Sequence, residues 1–171
     1  MKKILYVPHP LLRQKSINLE TIEKEDFLIA EEMMEIMLNA PGVGLAANQI
    51  GILKKIITIN IKDEENNIDK KYILFNPRIT SYSKEKILME EGCLSVPEQF
   101  ANIERAKEIT IEYINIKKKI VKKRVIGIEA RVLQHEIDHL SGKLFIDYLS
   151  SLKRNIIIKK VKKLIKNNEK N

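Results

Sequence analysis

Residues 22–39, Ile-Glu-Lys-Glu-Asp-Phe-Leu-Ile-Ala-Glu-Glu-Met-Met-Glu-Ile-Met-Leu-Asn, place apolar groups at Ile29, Met33, Ile36 and Met37 with acids between them. That spacing is the period of an amphipathic helix. Thr21 is expected to cap its start, and the chain must leave the helix before Pro41. Met33, Met34 and Met37 lie at helical spacing and read as core, not as a soft binding surface. Residues 41–51 then hold three glycines and two alanines, so backbone can approach something closely there. The β-branched run 55–61 predicts a buried strand, a polar hairpin loop follows over 63–69, and a second strand at 72–75 ends at Asn76-Pro77. Alternation over 107–117 and again over 119–126, across a Lys-rich turn, predicts an antiparallel pair.

After Gly127 the period becomes helical through 128–140, and Gly142 stands where a left-handed cap would end that helix. From Ser150 a last segment puts Leu152, Ile156, Ile157, Val161, Leu164 and Ile165 on one side. Lys153, Lys159, Lys160, Lys162, Lys163 and Lys166 fall largely on the other. Short strands with antiparallel signals and three helices indicate an α+β fold, not a doubly wound sheet.

The 171 residues, 44% apolar and 32% charged, fit one domain able to bury a core. The N-terminus carries no apolar leader, and no run approaches the roughly 18 apolar residues of a membrane span. A cytoplasmic protein with no membrane contact is expected. One cysteine, Cys93, excludes an internal disulfide and suits a reducing compartment. Such a cysteine is a buried apolar group, a nucleophile or a metal ligand. The net charge of +8 is uneven: from Lys153 onward eight Lys or Arg face one acid, Glu169, leaving +7 there and +1 for residues 1–152. An anionic partner would therefore meet the C-terminus. Lys outnumbers Arg 25 to 6, so compositional drift is a competing explanation of the basic tail.

Gln134-His135-Glu136-Ile137-Asp138-His139-Leu140 contains the pattern His-Glu-x-x-His on the predicted helix. Positions four apart lie about 40° from each other around the axis and roughly 6 Å along it, so both imidazoles reach one ion. Glu136 flanks that face, placed to take a proton from water beside the ion. A catalytic site of this kind uses a third protein ligand. Of the three histidines the last, His9, sits between Pro8 and Pro10 and reads as a rigid turn, which leaves Cys93 or a downstream carboxylate such as Asp147. Cys93, between Gly92 and Leu94-Ser95-Val96-Pro97, falls on a constrained turn or strand end. A Cys–His nucleophilic pair would give two histidines at helical spacing no role. A phosphate loop at residues 42–44 would need a following Gly-Lys-Ser/Thr, which is missing. A metallopeptidase with a downstream ligand, and a non-catalytic RNA- or ribosome-binding protein with a structural metal, are the rival readings.

Three segments together carry a resemblance: Gly42-Val43-Gly44-Leu45-Ala46-Ala47-Asn48-Gln49, Glu91-Gly92-Cys93-Leu94-Ser95 and Gln134-His135-Glu136-Ile137-Asp138-His139. In order and spacing they resemble the signature motifs of the peptide deformylase family, and the likeness extends over nearly the whole chain. The resemblance implies one ion per chain held by Cys93, His135 and His139, with ferrous iron native and zinc, nickel or cobalt able to substitute. It implies hydrolysis of the formyl group from the N-terminal formylmethionine of new polypeptides, with Glu136 as the proton carrier. The Gln49 side-chain amide and the Leu94 N–H would be the oxyanion donors, and Gly44 would touch the peptide.

The methionine side chain would meet Val43, Met89, Glu91, Ile128, Arg131 and Val132, with the Arg131 stem lining the pocket and its head in solvent. Phe100 stands where some relatives have an arginine that touches the peptide, and Asn48 at a variable position. Arg105 and Asp138 would form a charged pair behind the metal helix. By the same resemblance, residues 1–150 form the catalytic domain of a monomer, and residues 151–171 are a basic C-terminal helix of that domain. That helix would dock on the ribosome near the tunnel exit, or simply pack on the domain as a solvated amphipathic helix.

Overall fold

The computed structural model describes residues 2–65 and 67–168; Met1, Asn66 of the expected hairpin loop and residues 169–171 of the basic tail lie outside the described residues. The first helix, α1, spans Lys24–Leu38. Its start is fixed by Asp26, whose carboxylate accepts the Glu23 backbone N–H at 2.8 Å, and not by Thr21 as expected. Thr21 instead donates its hydroxyl to the Glu23 carboxylate at 2.7 Å. Asp26 is the better cap because it is buried and is itself held by Lys54 Nζ at 2.7 Å. Met33, Met34 and Met37 are buried as expected.

The described residues form seven strands: β1 (Gly44–Ala46), β2 (Ile56–Asp63), β3 (Ile68–Tyr82), β4 (Lys86–Cys93), β5 (Val96–Ala106), β6 (Glu108–Ile114) and β7 (Ile120–Ile126). Five form one antiparallel sheet in the order β1-β2-β3-β6-β7, while β4 and β5 make a separate hairpin. The pair expected at 107–126 is β6–β7, in register from Glu108↔Ile126 to Ile114↔Ile120. The strand expected to stop at Asn76-Pro77 instead runs on to Tyr82. Pairing shifts between Phe75↔Ile114 and Arg78↔Glu112, and Asn76 adopts φ +49°, so the donor that Pro77 lacks falls in an irregularity. The Asn76 amide accepts the Leu19 N–H and donates to the Leu19 carbonyl, both at 2.8 Å. The polar hairpin β4–β5 has no counterpart in the sequence reading.

Helix α2, Gly127–Leu140, packs on the sheet through Ala130, Leu133 and Leu140 against Ile57, Ile59, Ile109 and Ile111. A second cluster joins α1 to the sheet through Met33, Met37, Leu45, Ile56 and Phe75. A third lies beneath the hairpin, where Val96, Ile103 and Phe145 meet Val161 of helix α3, Ser151–Asn168. Gln134 ties α2 to the end of β5, donating to the Ala106 carbonyl at 2.9 Å and accepting its N–H at 3.1 Å. Gly142, at φ +74°, supplies the expected left-handed residue after α2. Among the described residues no helix is long and apolar enough to cross a membrane.

Candidate metal centre

The last residue of β4, Cys93, faces two histidines one turn apart on the buried helix α2. Cys93 Sγ lies 3.3 Å from His139 Nε2, which lies 3.2 Å from His135 Nε2, and the three donor atoms fall within 4.8 Å of one another. An ion at tetrahedral ligand distances would space such donors about 3.3–3.6 Å apart, close to the two separations that run through His139 Nε2, so the set could close on a divalent metal. The tautomer fits too. Glu91 Oε2 stands 3.0 Å from His135 Nδ1, which directs the Nε2 lone pair at the other two donors. The alternative third ligand, Asp147, is engaged elsewhere: it pairs with Arg13 at 2.5 Å and accepts the Leu144 N–H at 2.8 Å. His9 serves its turn, with Nδ1 accepting the Leu11 N–H at 3.3 Å.

Behind His135 a charge network is buried. Arg105 binds Glu91 through two nitrogens, at 2.7 and 3.0 Å, and reaches Asp138 at 2.6 Å. The Tyr148 hydroxyl donates to the same Asp138 oxygen at 2.8 Å. Burial alone would raise the Glu91 carboxyl, but His135 and Arg105 hold it at about 2. Glu91 borders the cleft, as expected for a pocket residue, yet its carboxylate is committed to the protein. Arg131 departs further from expectation. Arg131 borders the cleft, but its guanidinium is held inside the protein, donating to Glu91 at 2.6 Å and to the Ile87 and Ile103 carbonyls at 2.6 and 3.0 Å. With a buried carboxylate and two strand carbonyls within reach, the head has no reason to seek water.

The cleft in front of these groups encloses about 520 Å³. Glu136 lies in its wall, and its Oε2 is buried without a hydrogen-bond partner among the described residues. Burial pushes its carboxyl up to about 7, against the pull of His135. A cation in place would draw it back down. Gly44 permits this placement, since a Cβ there would stand 2.5 Å from Glu136 Oε1. Gln49 accepts the Ala46 N–H at 2.8 Å through Oε1, which turns its Nε2 toward Cys93 Sγ, 3.6 Å away, and Ser95 Oγ at 3.2 Å. Its neighbour Asn48 donates to the His139 carbonyl at 2.5 Å, tying the Gln49 turn to the metal helix.

Val43, Ile128 and Val132, expected around the methionine side chain, line the cleft, and so does Leu94. Met89 does not; it is 41% exposed on β4, outside the lining. Ile4, Tyr6, Pro97 and Phe100 also line it. The N-terminal pair is carried there by main-chain bonds, Leu5 N–H to the Gln49 carbonyl at 2.7 Å and Val7 N–H to the Ser95 carbonyl at 2.9 Å. No side-chain pattern in residues 2–7 announces this.

A family model described as polypeptide deformylase matches residues 1–155. Among curated proteins, the peptide deformylase of Pelagibacter ubique is 46% identical over 98% of this chain and 96% of its own length. That of Rhizobium meliloti is 41% identical over 97% and 95%. A crystal structure of peptide deformylase from Ehrlichia chaffeensis superposes with a TM-score of 0.94 at 35% identity, covering 98% of each chain. A second from the same organism, in complex with actinonin, gives 0.91 at 37% identity over 95% of this chain and 96% of that one. Alike in sequence over nearly its full length and in fold, the chain belongs to the polypeptide deformylase family.

Proposed function

We propose that this hydrolase removes the formyl group from the N-terminal formylmethionine of newly made polypeptides, releasing formate and a free amine. The observation that carries the reading is the convergence at one cleft wall of a thiol and two imidazole nitrogens, beside a fixed side-chain amide and a carboxylate whose Oε2 has no hydrogen-bond partner among the described residues. Cys93, His135 and His139 would hold a divalent cation, whose Lewis acidity would polarise the formyl carbonyl and acidify the attacking water. Glu136 takes the proton as water adds to the formyl carbon, then passes it to the amine as the C–N bond breaks. Gln49 Nε2 and the Leu94 N–H donate to the oxygen that gains charge; one such donor is typically worth about 10² to 10³ in rate. Glu91, clamped by Arg105 and Arg131, keeps His135 in its ligating orientation. Val43, Ile128, Val132 and the Arg131 stem enclose the methionine side chain, and Gly44 leaves room for substrate backbone.

The sulfur-and-two-nitrogen donor set accepts iron, zinc, nickel or cobalt, and ferrous iron is the native ion in this reading. A thiolate beside iron is open to oxidation, so the iron form should lose activity in air. We place the enzyme in the cytoplasm as a monomer of one domain, with α3 against the ribosome; its lysines Lys159, Lys160, Lys162, Lys163 and Lys166 are all exposed, which suits rRNA phosphates. The test is anaerobic purification, metal analysis and formate release from formyl-Met-Ala-Ser. About one ion per chain with formate release is expected, and a fully loaded enzyme that releases none would overturn the reading.

A further inference from the structure

Phe100 borders two cavities. Its ring is 64% exposed and lies over Gly92, where a Cβ would stand 2.6 Å from it. Gly92 precedes Cys93 and pairs across the hairpin with Phe100, so this rim stands roughly two residue lengths of extended chain from the metal ligands. On its far side a hollow of about 370 Å³ opens between β5 and α3, lined by Ala101, Leu149, Lys153, Ile156 and Ile157. Leu152, one turn before Ile156 on the same face of α3, is 70% exposed, and Ile156 is 45% exposed. Apolar groups gathered in this way, beside a cleft and not scattered, mark a contact surface.

We propose that this hollow receives the stretch of substrate that follows its first three residues, so that α3 contributes to choosing among polypeptides. The inference rests on the deformylase reading, and continuity fixes the occupant. A peptide whose formyl end lies at Cys93 and whose chain passes the Phe100 rim reaches the hollow with residues four to six. Ile156, Ile157 and Leu149 offer aliphatic contact to side chains at those positions. Lys153 and the lysines further along α3 disfavour basic residues there.

The test measures formate release by the metal-loaded full chain on formyl-Met-Ala-Ser and on hexapeptides extending it with Leu-Leu-Ser, Ser-Ser-Ser or Lys-Lys-Ser. The leucine hexapeptide should show a KM about fivefold below that of the serine one, as expected for partial burial of an aliphatic side chain. The lysine hexapeptide should show the highest KM. Ile156→Asp should abolish the leucine advantage and leave tripeptide turnover unchanged, with Ile156→Ser used if Asp impairs the tripeptide reaction. Equal KM values for the three hexapeptides, or a leucine advantage that survives both variants, would overturn the proposal. So would a concentration-dependent dimer dissolved by Ile156→Asp with no change in hexapeptide KM, since a second copy would then own the face. No turnover of any peptide, tripeptide included, would instead strike the deformylase reading itself.

Discussion

Glu91 receives bonds from Arg105, Arg131 and His135, and removing Arg131 takes one charged donor from a buried carboxylate and leaves the Ile87 and Ile103 carbonyls without theirs. Arg131→Ala should therefore lower stability by about 2 kcal/mol, read from chemical denaturation, whereas a solvent-facing arginine would cost almost nothing. Gly44→Ala places a methyl 2.5 Å from Glu136 Oε1 and must push that carboxylate aside, so formate release should fall at least tenfold with the metal retained. An unchanged rate would mean that Glu136 has freedom to move. At this scale the sequence was legible wherever chemistry is local. His135, Glu136 and His139 reveal themselves because helical spacing alone places them together. Arg131 could not be read in the same way, because two of its acceptors are carbonyls of Ile87 and Ile103, brought to it by strands distant in the chain.

Among elements, the β6–β7 pair and helices α1 and α2 were visible in apolar periodicity, with no end displaced by more than three residues. The β4–β5 hairpin was hidden for a physical reason. Its exposed strands carry charges such as Lys86, Glu90 and Glu104, and its buried face holds Glu91 and Arg105, so no apolar alternation survives. Those same buried charges orient His135. Helix α3 also differs from a free basic tail, because Val161 is fully buried with Ile157, Ile158 and Ile165 packed around it. Deleting it would uncover Val96, Ile103 and Phe145, so ribosome docking is better tested by charge than by truncation. Reversing Lys159, Lys160 and Lys163 to Glu should abolish salt-sensitive co-sedimentation with ribosomes while tripeptide turnover stays intact. Undiminished pelleting of that variant would remove the docking role.

Across the whole molecule, the apolar cluster between sheet and helix takes in Ala130, Val132, Leu133 and Leu140, so the helix that carries His135, Glu136 and His139 is held firmly against the sheet. Glu129 fastens that helix to the sheet, accepting from Tyr72 on β3 and from Lys123 on β7 at 2.6 and 2.7 Å. Burial opposes its charge, but Lys123 and Tyr72 outweigh burial and hold its carboxyl below the usual range. A carboxyl lowered in the folded state stabilises the fold above its unfolded pKa of about 4.3, and that contribution is lost as pH falls through the folded value. Acid unfolding should thus be less steep in Glu129→Gln below about pH 4, at the expense of lower stability at pH 7. The α+β class was accessible from periodicity, whereas the cleft was not, since it is assembled from four separated segments: the N-terminal strap, the Gly42–Gln49 turn, the hairpin and α2.

In the proposed reaction Cys93, His135 and His139 hold one ion, and Glu136 carries the proton of the attacking water. This arrangement is tested most directly by measuring metal content and formate release together, under anaerobic conditions, for the unaltered chain, Cys93→Ala and Glu136→Ala. One ion and turnover are expected in the first, and loss of the ion in the second. Glu136→Ala should retain the ion while turnover falls by about 10² to 10⁴. A Cys93→Ala protein that keeps its ion and its rate, or a Glu136→Ala protein that still releases formate at the full rate, would contradict it.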